Sequence, residues 1–182
     1  MAQTLSTLEL EKRMRPGRWS EGGFLGPSEA LEQVIAQDGR TLAQFGVTTR
    51  QIADALMTIL PPALEYSGRN SPYPDLYRPG TIPHFGLDNL PDSQEGYRVE
   101  NLQLFTRGYR GFQECPWGCE HRGDLLDSCD FLILNRESGE FVTGPGLIIH
   151  LIREHQFFEG TESPYRTDPA RLIRILGLDR KP

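Results

Sequence analysis

The chain has 182 residues, 37% hydrophobic and 24% charged, which is enough apolar material for a buried core and argues against a disordered chain. Its net charge of -6 argues against a general nucleic-acid binder, because such binding depends on phosphate neutralisation by Lys and Arg. No apolar run approaches the ~20 residues needed to span a bilayer, and Met1 to Arg18 has no signal-peptide hydrophobic stretch, so a cytoplasmic protein away from membranes is expected.

The first segment carries mixed charges and leads into Arg18 to Gly26, a Gly-rich loop with the aromatic anchors Trp19 and Phe24. Pro27-Ser28-Glu29 is expected to open a helix with Leu31, Val34 and Ile35 at helical spacing. A second helix should begin near Thr48, where Thr48-Thr49-Arg50-Gln51 forms a capping-box pattern. Its apolar face is Ile52, Ala55, Leu56 and Ile59, and Pro61-Pro62 should stop it. From there to about Gly96 the prolines and Tyr66, Tyr73 and Tyr77 predict a long loop, either a linker or a lid.

Beyond Gly96 the pattern alternates. Tyr97 to Gln113 reads as one long strand or two short ones, and Asp130–Asn135 and Glu140–Thr143 read as a hairpin around Arg136–Gly139. Gly144-Pro145-Gly146 breaks the strand, and Leu147 to Phe158 follows as a helix. A last helix has Asp168 as N-cap, Pro169 at its first position and Gly177 just past its end, with Leu172, Ile173 and Leu176 apolar. The fold class expected is α+β. It comprises a helical part (1–62), a Pro/Tyr-rich loop (63–96) and a metal-stabilised α+β part (97–182) forming one compact unit with the first.

All three cysteines lie between Cys115 and Cys129, which in a reducing compartment suggests metal rather than disulfide. Cys115-Pro-Trp-Gly-Cys119 sets two thiols on one tight turn, and His150 and His155 lie on the Leu147–Phe158 helix. The spacings C-x3-C and H-x4-H fall within those of structural zinc sites, so zinc is the expected cofactor and these four residues its ligands. A cysteine knuckle, a hairpin and a His-bearing helix resemble the two-Cys, two-His zinc-finger arrangement over Cys115 to His155 alone. Thirty residues separate Cys119 from His150, where the finger has about twelve. The resemblance therefore implies ligand roles and not DNA reading. Histidines five apart on a helix sit roughly 140° apart around its axis, so the helix must tighten or end near His155. Cys129 and His121 are the rival ligands, while Cys129 also reads as a small buried hydrophobe and His84 as a loop residue.

Two further activities compete. His150-Leu-Ile-Arg-Glu154-His155 is an inverted zinc-peptidase motif with one residue too many, and a catalytic zinc needs an open position. Leu42 to Ala53 loosely resembles a helix-turn-helix core, but residues 1–60 carry six positive and seven negative side chains, with no basic reading face. The C-terminal segment is locally basic through Arg166, Arg171, Arg174, Arg180 and Lys181. The function expected is a non-enzymatic binding or interaction module with a protein or small-molecule partner. The 61–96 loop and the Trp19–Gly26 segment are its candidate contact surfaces.

Overall fold

The structure is a computed structural model that describes residues 5–70, 96–108, 113–119 and 125–179. It is α+β, in the order α1 (Thr7–Met14), α2 (Leu31–Phe45), α3 (Thr49–Asn70), β1 (Tyr97–Val99), β2 (Leu102–Gly108), β3 (Cys129–Asn135), β4 (Phe141–Pro145), α4 (Ile148–His155) and α5 (Pro169–Ile175). A short 3-10 turn, Leu125–Ser128, precedes β3.

The four strands form one antiparallel meander in the order β1-β2-β3-β4. Its register sets Leu104, Ile133 and Val142 side by side, with Thr106, Phe131 and Gly144 two positions along on the same face. These apolar side chains are buried, and α3 and α5 pack against the sheet. The Thr106 hydroxyl donates to the Ala63 carbonyl of α3 at 3.3 Å, and the Asn135 side-chain Nδ2 to the Ile175 carbonyl of α5 at 3.5 Å.

Several local signals act as expected. The Thr48 amide donates to Gln51 Oε1 at 2.9 Å and the Gln51 amide to Thr48 Oγ1 at 3.2 Å, closing the capping box. Asp168 caps α5 by accepting from the Arg171 amide at 2.7 Å, and Gly177 follows at φ 68. Tyr97 to Gly108 forms two strands, with Glu100 left-handed at the turn between them.

Pro61-Pro62 does not stop α3, which runs on to Asn70, so residues 63–70 of the expected 63–96 loop are helical; 71–95 lie outside the described residues. Each proline removes one amide donor. The apolar stripe outweighs that loss, because Leu56, Leu60 and Ala63 are all fully buried and carry the helix onto β1 and β2. The helix expected from Pro27 starts at Leu31, since Glu29 is engaged elsewhere. β4 also runs through Pro145, which pairs with Asp130. Gly146 then has to be glycine: a Cβ there would lie 1.8 Å from the Leu126 carbonyl oxygen.

The second half of the Trp19–Gly26 segment is built into the fold, while Trp19 stays exposed. Phe24 and Leu25 are fully buried, and both of their amides donate to the Met14 carbonyl, at 2.8 and 3.2 Å. The segment crosses the chain that follows α4. The Gly160 amide donates to Phe24 O at 2.7 Å, and the Ser163 hydroxyl to Gly23 O at 3.1 Å. Glu29 accepts from the amides of Gly26 and Thr161, both at 2.7 Å, and from the Thr161 hydroxyl. Burial opposes ionisation of Glu29, but these donors prevail and hold its carboxyl below the usual value. Nor is Arg166 part of an open basic edge. It grips buried Asp38 of α2 through two bonds, 2.6 and 3.2 Å, and donates to the Glu159 carbonyl.

Glu159 has a left-handed backbone (φ 66) and no exposed surface. One carboxyl oxygen is hydrogen-bonded to Ser163 Oγ, and the other has no hydrogen-bond partner among the described residues. Burial pushes its pKa from 4.5 up to about 8, against the pull of Ser163 and Arg166, and nearby Asp130 adds to the rise. The folded state therefore retains a proton that the unfolded chain gives up above 4.5. Stability from this group is full below pH 4.5 and is lost as pH rises through about 8. Glu159→Gln is expected to flatten that slope and to be more stable than wild type at pH 8. Urea unfolding of both proteins at pH 5.5 and 8 checks this, and an equal difference at the two pH values would contradict it.

Candidate metal centre

The knuckle is shaped by Gly118, whose amide donates to the Cys115 carbonyl at 2.9 Å and whose backbone is left-handed at φ 76. Cys115 is buried and Cys119 faces the surface. The knuckle is held from outside by the N-terminal segment. Arg13 donates to the Pro116 carbonyl at 3.0 Å, the Trp19 indole to the Glu114 carbonyl at 3.2 Å, and the Arg13 guanidinium lies 4.3 Å over the Trp19 ring.

On the other side, α4 ends at His155. Gln156 is left-handed (φ 55), its amide returns to the Ile152 carbonyl at 3.2 Å, and the Phe157 amide reaches the Leu151 carbonyl at 3.1 Å. This is the closure that normally uses glycine. Although five residues apart within α4, the two imidazole rings come within 5.1 Å, steeply inclined at 76°. Trp117 stacks on His155 at 4.0 Å and 5°, and meets Phe157 edge-on at 5.5 Å, so the knuckle's own indole fixes the plane of a histidine on α4.

Cys115, Cys119, His150 and His155 each offer one ligand atom, and the four atoms lie within 4.8 Å of one another. Among the described residues, no other group of three or more His, Cys, Asp or Glu side chains converges in this way. His155 Nε2 is 3.4 Å from Cys115 Sγ and 3.3 Å from Cys119 Sγ. A tetrahedral ion with ordinary sulfur and nitrogen bond lengths sets its ligands about 3.5 Å apart. One ring nitrogen has one lone pair or one proton, so it cannot hydrogen-bond equally to both sulfurs, whereas an ion between them satisfies all three.

Burial pushes the Cys115 thiol up to about 12, and the Cys119 sulfur raises it further; the amides of Trp117 and Cys119 pull the other way. Those amides donate toward the sulfur, and a bound cation would lower the thiol further by the same electrostatic effect. The donor set of two sulfurs and two imidazoles can thus hold a metal ion.

Of the two rival ligands, Cys129 does not join the group. The Cys129 thiol donates to the Leu126 carbonyl at 3.4 Å and is buried in the core. His121 and His84 lie outside the described residues. Glu154, the base of the peptidase reading, is exposed and outside the cluster, and Arg153 pairs with Asp54 of α3 at 3.3 Å. In the helix-turn-helix reading, Gln51 is occupied in the capping box and Arg50 pairs with Asp54 at 3.7 Å. The sequence reading missed α1 as the support of the knuckle. Ser6 and Glu9 were the available signal, a capping box whose amide bonds measure 3.0 and 3.4 Å.

Comparison of the chain with protein-family models, curated proteins and solved structures returns no match.

Arg13→Met keeps the aliphatic stem but removes the donor to Pro116. It is expected to cost about 1 kcal/mol of stability, measured by urea unfolding. A variant as stable as wild type would show that the α1 clamp contributes nothing to the knuckle.

Proposed function

We propose that Cys115, Cys119, His150 and His155 hold one zinc ion in a closed site, and that the protein is a non-enzymatic binding module whose loop-rich half is braced by that ion. The convergence of four ligand atoms within 4.8 Å carries the reading. Two thiolates and two imidazoles form a borderline-soft set that suits zinc over magnesium or calcium. Four protein ligands leave no position for the water or substrate that a catalytic zinc requires. The carboxylate nearest in sequence, Glu154, supports the same side, because it points to solvent. The ion's role is mechanical: it ties the knuckle after the sheet's second strand to the helix after its fourth.

Metal analysis after dialysis is expected to give about one zinc per chain. Cys115→Ser and His150→Ala should lose the zinc and the cooperative unfolding transition together, while Cys129→Ala should keep the full zinc content. Cobalt substitution should give the strong visible bands of a four-coordinate thiolate site. Metal-free wild type that folds normally, or zinc lost with no loss of stability, would refute a structural centre. Five-coordinate cobalt with exchangeable water would instead support the hydrolase alternative.

A further inference from the structure

Residues 12–19 contain Lys12, Arg13, Arg15 and Arg18 with no Asp or Glu, while the chain as a whole has 19 Lys and Arg against 25 Asp and Glu. In the fold these four cations and Trp19 line one open groove of about 810 Å³ on the outer side of the knuckle. We propose that this groove binds a compact phosphate-bearing anion, either a free phosphate or a phosphate ester of small-molecule size.

The bland account is that Lys12 and Arg13 complement the carbonyl end of α1. A helix terminus carries only about half a negative charge, and Glu11, 3.8 Å from Arg15, offsets one more. Glu9 lies close enough to Lys12 to feel its charge and offsets up to one more, so the groove keeps more than one positive charge, and Arg15 and Arg18 lie beyond the helix.

Two of the four guanidinium and ammonium groups are fixed in place before any ligand arrives. Arg13 is held by the Pro116 carbonyl and the Trp19 ring, and Arg15 by the carbonyls of Gly26 and Glu29. Backbone carbonyls hold these side chains without neutralising them, and each fork keeps N–H donors to spare. A ligand therefore loses little side-chain entropy on binding. Lys12 and Arg18 are exposed and free to close over it, and Trp19, 41% exposed, adds an apolar rim.

Size and charge select the ligand. The volume falls within that of small-molecule clefts, about 300–1,000 Å³. A long polyanion would run off the groove onto a protein that is otherwise strongly acidic. A multiply charged phosphate matches both the number of cations and the planar forks of arginine.

The reading is independent of the metal proposal, and zinc content measured on the same samples separates the two. Calorimetric titration of the zinc-loaded protein with inorganic pyrophosphate at low ionic strength is expected to show saturable binding at one per chain. Lys12→Ala/Arg18→Ala, which removes only exposed side chains, should weaken it by at least about tenfold with circular dichroism and zinc content unchanged. ADP binding more tightly than pyrophosphate assigns an ester ligand, and equal binding assigns free phosphate. No saturable binding to wild type, or equal affinity in the double variant, would overturn the proposal. So would zinc loss on titration in both proteins, which would mark the heat as chelation.

Discussion

The stop at the end of α4 is the constraint on which the surrounding structure depends. The left-handed Gln156 ends the helix at His155 and turns Phe157 and Phe158 into the core, where both are fully buried. Trp117 then fits between His155 and Phe157, so the cysteine knuckle is seated by the same reversal. A non-glycine residue in this conformation is unfavourable by about 1–2 kcal/mol, and it persists because the packing on both sides fixes it.

A second set of restraints is polar and acts where the N-terminal loop crosses the chain after α4. The Asp38–Arg166 pair is buried, with 2% and 14% of the side chains exposed, and such pairs contribute more to alignment than to net stability. Here the pair aligns α2 with the segment that carries Glu159, Ser163 and Thr167. Glu29 does the same from the N-terminal side by gathering donors from both strands of the crossing. Gly160 lets them approach closely, since a Cβ there would lie 3.0 Å from the Leu25 Cα and closer still to the Glu29 carboxylate.

What the sequence made legible was local. The Thr48–Gln51 capping box, the Asp168-Pro169 helix start, the hairpin around Arg136–Gly139 and the ligand spacings all act within a few residues, and the structure contains each of them. What stayed hidden depended on partners far along the chain. Pro61-Pro62 read as a stop because the stripe that carries α3 past them is buried against elements far along the chain, β1, β2 and α4. Phe24 and Leu25 read as loop anchors because their burial needs the 159–163 crossing. The basic groove was averaged away: counted over residues 1–60, its four cations disappear into a near-neutral balance. No helix among the described residues is long and apolar enough to cross a membrane.

The same crossing has a consequence for biogenesis. Arg13 waits for a carbonyl 103 residues later, Glu29 for amides 132 residues later, and Gly23 for a hydroxyl 140 residues later. On a ribosome making roughly 5–20 residues per second, α1 and α2 are out for several seconds before any of those partners exists. During that interval Met14, Phe24 and Leu25 have no core to enter. Nascent α1 and α2 thus present an apolar surface that the finished protein conceals, and a chaperone would meet this chain first at its amino end.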